Sequence, residues 1–270
     1  MGAAGVARRT IVAVRRRLPR LALPKGPGDL LLQIAVLAVA IFVYQLTRGL
    51  ADDGRTAIEA TNNARDLIEL EQAMGLFFEP AVQQWTLTLG SGVESVLSWL
   101  YLNVQTTVTL GGLLWIYLFH NDRYYFVRNM FFVAFVGACI FYIAVPTAPP
   151  RLMPGYGFVD TVEQADGARK FIWDAFANPY AAVPSMHIGF SLMIGWSIAS
   201  LVDGPVARAF WRWYPAGILF VVVATGNHFW LDAVAGALVA GAGAAAANGL
   251  GRLRPADWAW SSQQPSRAMT

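Results

Sequence analysis

Two of the chain's three histidines stand in short polar stretches at the mouths of long apolar runs: His187, which ends residues 178–187 (NPYAAVPSMH), and His228, in residues 227–232 (NHFWLD). Asp232 follows His228 by four residues. On a helix the two side chains share a face, and the carboxylate can accept the ring's Nδ1 proton. Nε2 is then unprotonated, as a nucleophilic or basic histidine requires. Pro184 suits the first turn of a helix. The free N–H groups of Ser185, Met186 and His187, with the Ser185 hydroxyl, then make an anion site. Arg151 follows the proline-rich residues 146–150 (PTAPP), which fix it in place, and its planar fork suits phosphoryl oxygens. Together these groups describe a cradle for a phosphoryl group between two histidines. His228 would attack phosphorus and form a phosphohistidine, while His187 would protonate the leaving oxygen and then activate the acceptor as a base. Arg169 and Lys170 can supplement the clamp. His120, beside Asn121 and Asp122, reads as a structural residue in a turn.

The elements that must position these residues are membrane helices. At 270 residues with 56% hydrophobic and 14% charged residues, the chain is far more apolar than a soluble domain of this length. Mean hydropathy is +0.45. This composition excludes a soluble or nucleic-acid-binding domain and leaves an integral membrane protein whose surroundings are lipids. The single cysteine, Cys139, lies within an apolar run, which excludes an internal disulfide and makes it a small packing residue. Six runs approach the roughly 20 residues that cross a bilayer core as helix: residues 30–46, 93–119, 129–145, 185–202, 213–225 and 229–250. The expected architecture is an all-α polytopic bundle of six transmembrane helices. Residues 1–28 form a basic cytoplasmic tail, 29–252 the catalytic membrane domain and 253–270 a C-terminal cytoplasmic tail. The first apolar run is long and lacks a convincing cleavage site, so it reads as a retained span and not a signal peptide.

Six crossings put both termini on one side, and fourteen of the twenty Lys and Arg residues fall there. The positive-inside bias places that side in the cytoplasm. Arg151, His187, His228 and Asp232 then share the extracytoplasmic side, at the ends of the third, fourth and sixth spans. Residues 51–84 are too polar to cross. Leu67, Leu70, Met74, Phe77 and Phe78 recur at helical spacing with Arg65, Asp66, Glu69 and Glu71 between them, an amphipathic helix lying on the outer leaflet or capping the bundle. In the second span Glu94, Asn103, Gln105, Thr106, Thr107 and Thr109 must face helices or a cavity. Gly236, Gly241 and Gly243 in the last span let neighbouring backbones approach closely.

These residues resemble the type 2 phosphatidic acid phosphatase superfamily, and within it the branch similar to inositol phosphorylceramide synthases. Pro184, Ser185, Met186 and His187 match the superfamily's Pro-Ser-Gly-His motif, with Met186 in place of the glycine. His228 and Asp232 match its terminal His-x-x-x-Asp. The branch is similar in residues 146–150 and in the helix with Leu70, Glu71, Gly75, Leu76, Glu79 and Pro80. The resemblance implies a six-helix membrane bundle with His228 as nucleophile, Asp232 as its orienting acid, His187 as general acid, and no metal or other cofactor. Val221 and Val222 stand where the superfamily carries Ser-Arg, and Arg151 alone represents its Lys and Arg motif, so phosphate binding falls to Arg151 and to backbone N–H groups.

The expectation is a lipid phosphatase or phosphotransferase acting on a phospholipid, or on a polyprenyl- or sphingolipid-type phosphoester, at the extracytoplasmic face. Water as acceptor makes it a phosphatase, and a polyol or lipid alcohol makes it a transferase. Arginine- and alanine-rich usage points to a bacterial inner membrane. Two other classes fit the same residues: a two-histidine, one-carboxylate metal site in a metal-dependent hydrolase, and a catalytically inactive lipid-binding or transport protein.

Overall fold

The computed structural model describes residues 23–50, 54–161 and 178–260. Arg169 and Lys170 lie outside them, as do most of the N-terminal tail and residues 261–270. The described elements are the helices α1 (Gly26–Leu50), α2 (Gly54–Ala73), α3 (Glu79–Thr88), α4 (Ser91–Phe119), α5 (Asn121–Ala144), α6 (Met186–Leu201), α7 (Pro205–Ala224), α8 (Trp230–Leu253) and α9 (Pro255–Trp258). The chain divides after Ala38 into two units, the first containing the start of α1 and the second everything from Val39 onwards.

Five helices, α1, α4, α5, α7 and α8, are long and apolar enough to cross a membrane. The expected fourth span is shorter: α6 has 16 apolar residues. At 1.5 Å per residue it is about 24 Å long, less than the roughly 30 Å hydrocarbon core. Two boundaries also move. The expected third span starts at Asn121, and the expected fifth starts at Pro205 and runs through Pro215. Large side chains such as Phe42, Ile140, Trp213 and Leu238 stay exposed on these helices, as lipid-facing residues do. The protein is an all-helical integral membrane protein.

The expected amphipathic helix is two helices. Gly75, at φ +68°, breaks the path between α2 and α3, a backbone conformation that glycine adopts without a Cβ penalty. The buried stripe of α2 is also not the expected one. Ala60, Ala64, Ile68 and Glu71 are fully buried, while Leu70, Met74 and Phe78 are exposed. The small residues let α2 lie close against Ala148, Met153, Phe158 and Phe229, where larger side chains would hold it off.

The expected packing role of small residues holds at two of the three glycines. A Cβ on Gly236 of α8 would overlap the carbonyl oxygen of Ser185, and one on Gly243 would sit 2.7 Å from the carbonyl of Met130 on α5. Gly241 has open space around it. A comparable approach joins α6 to α7. Pro215 removes the N–H that would bond to the Trp211 carbonyl, and a Cβ on Gly195 would stand 2.6 Å from that oxygen. Gly236→Ala is expected to destabilise the protein by about 1–3 kcal/mol or more through overpacking against immovable backbone. Gly241→Ala should be neutral or slightly stabilising, because alanine is the better helix former. Thermal melting of the two variants in the same detergent checks this, and equal melting points would contradict it.

Candidate active site

Backbone hydrogen bonds stitch three chain segments together at one end of the bundle. The N–H of Thr147 donates to Tyr180, that of Ala182 to Thr147, that of Arg151 to Gly226 and that of Ser185 to Asp232. The loop after α5, the start of α6 and the start of α8 therefore meet, as the shared side of His187, His228, Asp232 and Arg151 anticipated.

Each segment has a local reason for its course. The chain leaves α7 through Gly226 at φ +66°. Both Asn227 and His228 then donate their N–H groups to the Val222 carbonyl, which turns the chain back within a few residues. His228 lies just ahead of α8, whose N-cap is Phe229. The Asp232 Oδ2 accepts the Phe229 N–H at 2.9 Å, satisfying a free donor of the first turn. Ser185 is the N-cap of α6, its hydroxyl accepting from the Ile188 N–H over a long 3.5 Å. Pro184 precedes this cap and so stands outside the first turn, contrary to expectation. Pro149 leads into a 3-10 turn, Pro150–Leu152, with Arg151 at its centre.

The two imidazoles touch. His187 Nδ1 lies 3.2 Å from His228 Nε2, and His228 Nδ1 lies 3.3 Å from Asp232 Oδ2. One set of tautomers that satisfies both contacts has the Asp232 carboxylate accepting the His228 Nδ1–H, so that Nε2 is an acceptor, and His187 donating to it from Nδ1. Burial lowers the pKa of His228 from its ordinary value to about 4, because charging the ring away from water is costly. The ring is therefore neutral at neutral pH. Tyr101 of α4 stacks on His187, ring centres 4.7 Å apart at 25°, and sets the plane of that imidazole.

Arg151 is held by two neighbours. Its Nε donates to Asn227 Oδ1 at 3.1 Å and its Nη1 to Asp160 Oδ2 at 2.8 Å. Its three further N–H groups meet no acceptor among the described residues and can serve an anion. Arg151, Met186, His187 and His228 line one cavity of about 630 Å³ together with Asn103, Gln105, Thr106 and Thr107 of α4. Among the described residues lining it, Arg151 is the one that carries a permanent positive charge.

Two of the expected site residues stand behind the cavity and not in its wall. Asp232 is fully buried under His228, and Ser185 is fully buried with both its hydroxyl and its N–H engaged. Ser185 thus shapes the turn, while the adjacent N–H groups of Met186 and His187 remain for an anion. Val221 and Val222 are packed in the core formed by α4, α6, α7 and α8. His120 ends α4 at the bend into α5, and Cys139 is buried on α5. Among the described residues no group of three or more His, Cys, Asp or Glu side chains is arranged to hold a metal ion. Asp232 lies on the far side of the His228 ring from His187, so the three do not converge on one point.

Sequence reasoning missed Tyr101, Asn227 and Asp160. Asn227 carried a signal, being next to His228. Tyr101 carried none, since its partner is distant in the chain, and Asp160, nine residues from Arg151, stands in an irregular loop whose spacing gives no signal.

No curated protein and no solved structure matches the chain. A family model described as the PAP2 superfamily matches residues 65–246, well over half of the 270 residues. With His187, His228, Asp232 and Arg151 all inside the matched span, the chain belongs to the PAP2 superfamily.

Proposed function

We propose that this membrane protein is a metal-independent lipid phosphatase or phosphotransferase that works through a phosphohistidine on His228. The observation that carries the reading is the contact chain from Asp232 through His228 to His187, 3.3 and 3.2 Å long, opening on a cavity that Arg151 also lines. A phosphoester entering the cavity displaces the His187 contact from Nε2. Its phosphoryl oxygens meet Arg151 and the N–H groups of Met186 and His187. As the anionic phosphoester binds beside it, His187 takes up a proton from solvent, and the Nε2 lone pair of His228 then bonds to phosphorus while the ester oxygen leaves with that proton. Asp232 balances the positive charge that His228 gains. In the second half-reaction the acceptor gives its proton to His187, its oxygen bonds to phosphorus, and His228 departs neutral.

The cavity is larger than a phosphoryl group needs. Its polar wall on α4 supports an acceptor with hydroxyl groups, in keeping with the inositol phosphorylceramide synthase-like branch that the motifs resemble. A lipid tail would lie between helices. Fourteen of twenty basic residues on the terminal side of a six-span topology, with α6 as the short span, support cytoplasmic termini and an extracytoplasmic site. Arginine- and alanine-rich usage supports a bacterial inner membrane.

Purified protein incubated with lipid phosphate labelled on phosphorus is expected to trap an acid-labile, base-stable label on the polypeptide. The label should then pass to water, or to a polyol or lipid alcohol when one is added. Release of inorganic phosphate alone with every alcohol would remove the transferase reading. Absence of both turnover and trapped label would overturn the proposal and favour a lipid-binding or transport role.

A further inference from the structure

Among the described residues two carboxyl groups outside the reacting residues are fully buried: Glu71 on α2 and Glu79 at the start of α3. Both reach the first turn of α8. Glu79 Oε1 accepts the Trp230 N–H at 2.9 Å, and Glu71 Oε1 accepts the Leu231 N–H at 3.2 Å. The preceding N–H, that of Phe229, is taken by Asp232. Three successive free donors of the helix that begins beside His228 are thus satisfied by carboxyl groups from three different helices, where the helix dipole also favours negative charge.

The second oxygen of each glutamate, Oε2, is buried without a hydrogen-bond donor among the described residues. A buried acceptor without a partner is costly, and two adjacent carboxylates cannot both ionise away from water. One proton held between the two carboxyl groups removes both penalties. The charged groups acting on Glu71 are Glu79 and Asp232. Neither brings a compensating positive charge.

We propose that Glu71 and Glu79 share a single proton and act together as positioning residues, clamping the first turn of α8 so that Asp232 stays on the Nδ1 side of His228. The inference rests on the phosphohistidine reading of His228 for its catalytic consequence. Burial, reinforced by the charge of Glu79, raises Glu71 to about 9. The shared proton is therefore present at neutral pH and is lost as pH rises through that value. Two ionised glutamates beside Asp232 then repel one another and loosen the turn. An alkaline fall in kcat follows, with its midpoint set by the pair and not by the histidines.

The test uses the full chain in lipid nanodiscs and has an optical and a kinetic arm. Infrared spectroscopy of the wild type should show the carbonyl stretch of a protonated carboxylic acid at neutral pH. The band should disappear as pH passes about 9 and be absent in Glu71→Gln. In the kinetic arm Glu71→Leu, which cannot accept the Leu231 N–H, should lower kcat by about 100-fold, the scale of a small misplacement of reacting groups. Glu71→Gln keeps the acceptor and replaces the shared proton with permanent N–H donors, so it should restore most of that loss and abolish the alkaline fall. A missing band, or an alkaline fall unchanged in Glu71→Gln, would overturn the proposal. If the wild type turns over no lipid phosphate yet shows a band that Glu71→Gln removes, the proton-sharing clamp stands and the catalytic reading fails.

Discussion

Turnover of a lipid phosphoester is expected to fall by at least about 10⁴-fold in His228→Ala, with lipid binding retained. The loss corresponds to roughly 5 kcal/mol of activation free energy. The argument is geometric. Nε2 of His228 is the ring nitrogen left without a proton once Asp232 has claimed the other, and it faces the cavity that Arg151 lines. His187 is the poorer nucleophile, because in this tautomer set its Nδ1 donates to His228 and among the described residues no carboxylate meets its ring. Alanine also leaves the fully buried Asp232 without the ring that covers it, so a fall in stability could mimic a fall in rate. His228→Gln separates the two effects. The amide fills much of the same space and can donate to Asp232 but cannot form a phosphohistidine, so its melting temperature should stay near wild type while its turnover matches that of alanine. Trapped label on the polypeptide should vanish in both variants. Turnover that survives in either one would sink the nucleophile assignment, and a loss of lipid binding at unchanged turnover would favour a scaffold.

Asp232→Asn is expected to lower kcat by about 10³-fold with little change in KM. The size of this effect follows from which oxygen does what. Asp232 Oδ2 accepts both the Phe229 N–H and the His228 Nδ1–H. In the asparagine variant the Phe229 N–H keeps the amide oxygen in that place, since the alternative would set two donors against each other. The His228 tautomer therefore survives. What disappears is the negative charge that offsets the imidazolium formed when Nε2 bonds to phosphorus, so the loss is of transition-state stabilisation and spares substrate binding. Asp232→Ala removes the tautomer control and the helix cap as well, and should be slower again. Single-turnover measurement of label transfer to His228 checks this directly. A wild-type transfer rate in Asp232→Asn would reduce Asp232 to a structural cap.

In residues 184–187 and 227–232 the meeting of His228 with Asp232 and the helix start beside Ser185 are legible from sequence because those interactions are local, whereas the expected place of Pro184 in the first turn is not met. A histidine and an aspartate four residues apart at a helix start meet with little help from the rest of the chain, and Ser185 caps the helix beginning one residue later. The apolar runs are equally legible, since hydrophobic length alone requires a helix in a bilayer. Family membership is carried by the order and spacing of the same motifs. Boundaries were less secure. The start of α5 at Asn121 and the passage of α7 through Pro215 depend on neighbouring helices that accept a polar first turn and a freed carbonyl.

Tertiary structure alone decided how the site is supported. Glu71 reads as part of a solvated polar face, yet it is fully buried because its partner is the Leu231 N–H, 160 residues away. Glu79 likewise meets Trp230 across 151 residues. Arg151 is aimed by Asn227, 76 residues away, and His187 is oriented by the stacked ring of Tyr101. Gly236 is needed because the carbonyl of Ser185, from a different helix, occupies the space of its missing side chain. The sequence by itself determined which groups are candidates for the chemistry and that His228 meets Asp232, because their types and short spacing encode it. Only the fold decided how those groups are held, because buried partners far apart in the chain leave no periodic trace in it.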